Sequence, residues 1–164
     1  MDIKTSKYIG VFTTIFFLIG IIVFIFKSQL SFFIWKANNS NPVEWNNLII
    51  SFQGNIAYKL HEEGLIFFMW DNDDGYLHVR EKNLSLFKKN EIEDFLRKKN
   101  YEILTSKSIN FKEMPSFEIS YLDNTSHTYN HRLYIIPQNI YFYYEGQQES
   151  YANFKKIISN TEFF

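Results

Sequence analysis

The sequence predicts an α+β protein: an N-terminal transmembrane helix followed by a small antiparallel sheet packed with two helices. Three observations carry this. An uncharged run of nineteen residues, Tyr8 to Phe26, lies near the N-terminus. Beyond it, short segments rich in aromatic and branched residues are punctuated by turn signals, the grammar of strands. Two later segments switch to helical periodicity. Strands, helix, strands, helix is the order of an α+β domain.

Composition supports a packed domain. Of 164 residues, 18 are Phe and 11 Tyr, while only three Pro and six Gly interrupt the chain. Such a chain has the apolar surface to fold. Lys and Arg total 17 against 18 for Asp and Glu, so no net field draws the protein to nucleic acid. The absence of cysteine excludes disulfides, thiolate zinc sites and a cysteine nucleophile.

Taken in order, residues 1–36 read as anchor and juxtamembrane belt. At ~1.5 Å per residue, YIGVFTTIFFLIGIIVFIF spans roughly the hydrocarbon thickness of a bilayer. Its polar residues, Thr13 and Thr14, can bond back to helix carbonyls. The run exceeds the ~7 to 15 apolar residues of a signal peptide, and Lys27 follows at once, which favours a retained anchor. Phe32, Phe33, Ile34 and Trp35 then suit the headgroup level. Lys4 and Lys7 place the N-terminus inside, and so the C-terminal domain outside the cytoplasm. ANNSNPVEWNN, residues 37–47, reads as a polar linker.

The soluble domain, residues 48–164, opens with a strand in LIISFQ, a turn at Gly54 and Asn55, and strand character through IAYKLHEEGLIFFMW, with HEEG a polar turn. DNDDG, residues 71–75, is an acidic turn leading to YLHVR, where Tyr76, His78 and Arg80 face away from Leu77 and Val79. Asn90 with Glu93 suggests a capping arrangement for a helix whose stripe is Ile92, Phe95 and Leu96, ending near Asn100. YEILTSKSINF and SFEISYL return to strands, followed by a polar turn in DNTSHTYNH. RLYIIPQNIYFYYEG gives two more, broken at Pro137, Gln138 and Asn139. A last helix runs from Tyr151 to Ser159, capped by Ser150 and burying Phe154, Ile157 and Ile158.

Three stretches, ISFQGNIAYKL, KKNEIEDFLRKKNYEI and IYFYYEGQQESYANFKKIISNTEFF, and the succession they punctuate, resemble the PsbP-like family over residues 48–164. These are small α+β domains named after an extrinsic photosystem subunit. The resemblance implies a non-catalytic docking domain.

No motif commits the chain to chemistry. His127 and His131 lie four apart, but in an expected turn and without an adjacent third ligand, so they read as surface histidines. His61 with Glu62 and Glu63 lacks the second His of the helical zinc motif. Aligning DNDDG with a calcium loop puts Glu81 at the final ligand but Trp70 at the first. No cofactor or metal is therefore expected. Asp71, Asp73 and Asp74 instead offer an acidic contact surface. Tyr141, Phe142, Tyr143 and Tyr144 cannot all face one core, so Tyr141, Tyr143 and Tyr144 are candidate partner contacts. The resulting expectation is a membrane-anchored, non-enzymatic protein-binding domain on the outer side of the inner membrane. Its partner would be a toxin, making it an immunity protein, or a membrane complex in which it is an accessory subunit. The rival is a membrane-bound hydrolase using His61, Glu62, His127 or His131.

Overall fold

The computed structural model describes the chain from Ile3 to Phe164, with side chains from Thr13 onward. Two compact units form, Met1–Ser40 and Asn41–Phe164. In the first, α1 (Ile3–Ile25) and α2 (Lys27–Asn38) meet at Phe26. Every large apolar side chain from Ile15 to Phe26 is exposed, Phe16 at 70% and Phe24 at 81%. Among the described residues no single helix is long and apolar enough to cross a membrane. Thr13–Ile25 and Lys27–Asn38 meet that requirement only as a pair bent by 69°. The expected anchor, Tyr8 to Phe26, thus finds no support as a single span among the described residues; the bend falls at its end, where the apolar run gives way to Lys27 and Ser28. Lys4, Lys7 and the start of the run, Tyr8 to Phe12, lie outside the residues whose side chains are described.

In the second unit, β1 (Val43–Trp45) and β2 (Leu48–Ile50) pair as a short hairpin, and β10 (Glu162–Phe163) joins β2 on its other edge. Val43 to Trp45, inside the stretch read as linker, thus form a strand: Val43 pairs with Ile50 and is 5% exposed. The main sheet comprises β3 (Ile56–His61), β4 (Gly64–Met69), β5 (Asn72–Glu81), β6 (Glu102–Phe111), β7 (Met114–Asp123), β8 (Thr128–Ile135) and β9 (Ile140–Gly146). Its order is β3-β4-β5-β9-β8-β7-β6, antiparallel throughout. Two meanders therefore meet along β5 and β9. The long connection between them carries α3 (Lys89–Lys98).

Strand alternation divides the side chains between two faces. On one, Leu77, Val79, Phe142 and Tyr144 are fully buried beneath α4 (Tyr151–Asn160). Phe154, 0% exposed, lies 5.1 Å from Tyr144, and Ile157 and Ile158 are buried beside it. Phe52, just after β2, extends this core edge-on to Tyr58 and Phe67 at 5.8 and 5.6 Å. Burying such a side chain stabilises by roughly 1.5–3 kcal/mol. On the opposite face Leu96 of α3 packs with Leu84, Phe117, Ile119, Tyr121 and Tyr134. That cluster covers the β7 and β8 side of the face. Over β5 and β9 the side chains of Tyr76, Arg80, Tyr141, Tyr143 and Glu145 stay half-exposed.

Local differences from expectation have physical causes. Neither helix has a side-chain cap. Asn90 lies inside α3, whose N-cap is Lys88, and the Glu93 carboxylate instead accepts a hydrogen bond from Ser106. Ser150 sits at the start of α4 but directs its hydroxyl to Asp74 at 3.4 Å. The β4–β5 turn is tighter than DNDDG: a register shift after Phe68 pairs Met69 with Asn72, so Asp73, Asp74 and Gly75 belong to β5. At the β6–β7 hairpin, Lys112 and Glu113 form the two-residue turn with φ of 47° and 67°. This is the conformation that Asn-Gly adopts readily and these residues do not.

Candidate functional site

Register places three rows of side chains across the partly open face. From β5 through β9 and β8 to β7 they read Tyr76, Glu145, Asn130, Tyr121; then His78, Tyr143, Arg132, Ile119; then Arg80, Tyr141, Tyr134, Phe117. Planar groups stack along the middle. Tyr101 lies on Tyr121 with centroids 5.3 Å apart, and the Arg132 guanidinium sits 5.4 Å from the Tyr121 ring and 4.7 Å from that of Tyr143. Tyr143 in turn stacks on His78 at 5.5 Å. A cation between two aromatic faces gains on the order of 0.5–2 kcal/mol from each.

Hydrogen bonds fix this stack. His78 Nε2 lies 3.2 Å from Glu145 Oε1. The Tyr143 hydroxyl has two acceptors at 2.8 Å, Glu145 Oε2 and Asn130 Oδ1, and Asn130 is held by its amide donating to the Thr128 carbonyl at 2.9 Å. Arg132 Nη1 donates to the Tyr134 hydroxyl at 3.3 Å. Two buried polar atoms are left without a partner, Arg132 Nε and His78 Nδ1. The hydrogen bond with His78, reinforced by Tyr143, holds the Glu145 carboxyl below its usual range despite burial. Burial, with Tyr121 and Glu145 nearby, pushes the Tyr143 hydroxyl well above the ordinary phenol range, so it remains a donor. Burial opposes the Arg132 charge, but Tyr134, Tyr121 and Tyr143 outweigh it and raise its pKa. These groups suit recognition: aromatic faces, a fixed cation and hydroxyl donors.

At the end of the face marked by Arg80 and Tyr141, a groove of about 700 Å³ opens between the β1–β2 and β3–β4 turns. Arg80 pairs there with Glu63, and Asn46 donates to Glu81 at 2.9 Å.

The predicted site residues separate. Tyr141 and Tyr143 line the half-open face. Tyr144 does not: it is 0% exposed on the opposite face, packed against Phe154, Tyr151 and Tyr129. Adjacent strand residues point to opposite sides, so Tyr143 and Tyr144 cannot share a partner. Burial raises the Tyr144 pKa to about 12, and its hydroxyl donates to the Gln147 carbonyl at 2.7 Å. Asp71 and Asp73 are exposed near the hairpin turn, Asp73 accepting from Tyr76 at 3.0 Å. Asp74 is half-buried and structural, its carboxylate accepting from Asn72 and Ser150 and its carbonyl from the Gln147 N–H at 2.7 Å.

The hydrolase residues do not converge. His61 on β3 and His131 on β8 are four strands apart, about 19 Å at ~4.8 Å per strand. They also point to opposite faces, since His61 aligns through Gly64 with Arg80, and His131 with Tyr144. His127 lies in the β7–β8 turn, four residues of largely extended chain from His131, roughly 13 Å at ~3.3 Å per residue. His131 is not a surface histidine: β8 begins at Thr128, earlier than the expected polar turn allows, and His131 is 4% exposed. Among the described residues no group of three or more His, Asp or Glu side chains is placed to hold a metal ion. Sequence reasoning missed His78, Arg132, Asn130 and Glu145. Alternation turned His78 outward, but the partners that define its surroundings come from strands distant in sequence.

No protein-family model matches the chain, and no curated protein matches it in sequence. Among solved structures, it matches the solution structure of cyanobacterial PsbP (CyanoP) from Synechocystis sp. PCC 6803 with a TM-score of 0.50. The match covers 77% of this chain and 98% of that one at 10% identity. The fold resembles that of PsbP. At this identity the likeness concerns the fold alone. It agrees with the α+β class expected from the sequence and extends it, because the domain holds two antiparallel sheets, not one.

Proposed function

We propose that this chain is a non-enzymatic protein-docking domain, anchored through its N-terminal helices on the outer side of the inner membrane. The observation that carries the docking role is the half-open sheet face, where Tyr143 and Arg132 stay half-exposed and stack with the buried His78. Aromatic and Arg side chains held rigidly in this way are the residues that dominate protein interfaces. Support for anchoring comes from the helix exposing apolar residues on all sides, a surface that water disfavours and lipid accepts. The favoured form is an accessory subunit of a membrane complex, in keeping with the non-catalytic docking role that the PsbP-like resemblance implies. An immunity protein would present the same face to a toxin, and the identity of the partner separates the two. The test is a photo-crosslinking residue at Tyr76, on the open face, in native membranes, with a C-terminal reporter fusion to read the side. One discrete adduct and an external reporter are expected.

A further inference from the structure

We propose that Arg132 is the receptor for a carboxylate carried by the docking partner, an Asp or Glu side chain that pairs with its guanidinium. The inference rests on the docking reading and names the chemistry of what docks.

Arg132 is the conspicuous unpaired charge on this face. No carboxylate of this chain lies within ion-pair distance of it among the described residues. The carboxylates near a cation are Glu63 with Arg80, Glu91 with Lys88, Glu93 with Lys89 and Glu118 with Lys107, and Glu145 and Glu118 also lie beside the imidazoles of His78 and His131. Nη1 is satisfied by Tyr134, whereas Nε is buried without an acceptor. Arg132 as a whole stays half-exposed, so its charge can be met from outside the chain. The stacking rings of Tyr121 and Tyr143 hold the guanidinium in place, which reduces the ordering cost of binding.

The other charged and titratable groups on the face fit this assignment. Glu145 is engaged by His78 and Tyr143, and Asp73 by Tyr76, so neither takes the site. Arg80 is committed to Glu63. A single monovalent, planar acceptor matches one guanidinium among hydroxyls better than a phosphate, which calls for several cations or a nest of backbone donors.

The chain has three arginines, Arg80, Arg97 and Arg132, so its Nε–H resonances are few enough to follow singly by ¹H–¹⁵N NMR on the full chain in micelles. Sodium acetate, titrated against sodium chloride at matched ionic strength, is expected to shift the Arg132 resonance saturably while Arg97 tracks salt alone. Saturation by inorganic phosphate without acetate, or a linear drift identical to that of Arg97, overturns the carboxylate assignment. In membranes, Arg132→Gln is expected to lower the Tyr76 crosslink at least tenfold. Arg132→Lys, which keeps the charge and loses the guanidinium, should fall between. An adduct at full yield in Arg132→Gln refutes the inference and leaves docking intact. No adduct in the wild-type chain refutes docking itself, and the acetate titration then judges Arg132 alone.

Discussion

Lowering the pH should destabilise this domain through one buried histidine. His131 lies on the helix-covered face, 4% exposed, with its ring 4.6 Å from that of Tyr151. Burial is the main cause that brings its pKa from 6.5 to about 4. Glu118, 3.5 Å away, opposes the fall, while Lys155 and Lys107 add to it. In the unfolded chain the imidazole returns to ~6.5. Between those values the unfolded chain binds a proton that the folded chain does not, so stability rises with pH. The contribution is complete above about pH 6.5 and is lost as pH falls toward about 4. At ~1.36 kcal/mol per pKa unit it amounts to about 3 kcal/mol, a large share of the ~5–15 kcal/mol typical of a domain. Urea unfolding of the full chain in micelles, followed by tryptophan fluorescence at pH 7.5, 6.5, 5.5 and 4.5, measures it. His131→Gln should flatten the profile by about that amount, because the depressed carboxyls of Glu93, Asp123 and Glu145 titrate lower and are common to both chains. Parallel losses in wild type and His131→Gln would refute the reasoning.

Other positions test the fold. Replacing Lys112 and Glu113 by Asn and Gly should raise stability by about 1–2 kcal/mol, since both residues hold positive φ in the hairpin turn. An unchanged urea midpoint would show that the turn carries no such strain. Phe154→Ala, which empties the contact between α4 and Tyr144, should cost about 3–5 kcal/mol. Leu86→Ala, at a side chain 86% exposed, should stay within about 0.5 kcal/mol in the same assay.

What the sequence reveals here follows the range of the forces involved. The apolar stripe of α4, the break at Pro137 and the alternation of Tyr76, His78 and Arg80 away from Leu77 and Val79 are local patterns, and all are present in the structure; of the α3 stripe Leu96 and Ile92 pack inward, whereas Phe95, 52% exposed, faces out. Tyr141 and Tyr143 were legible for the same reason; including Tyr144 with them breaks the period of two. The burial of His131 was hidden because the polar letters around it suggest a turn, while burial depends on α4 arriving from twenty residues later in the chain. Arg132 gave no local signal. Its surroundings are built by Tyr121 and Tyr143, which only the registers of β7, β8 and β9 bring together. The missing caps show tertiary contacts prevailing: Glu93 and Ser150 bond to neighbouring strands instead of to their own helices.

The account turns on one surface, the open face over β5 and β9. The most direct test places a photo-crosslinking residue at Tyr76 or Tyr141 on that face, and at Lys156 on α4 across the sheet or Lys112 in the β6–β7 turn, in the full chain within native membranes. The account predicts one discrete, stoichiometric adduct from the face positions and none from the others. Adducts of equal yield from all four positions, or none from Tyr76 and Tyr141, would contradict it.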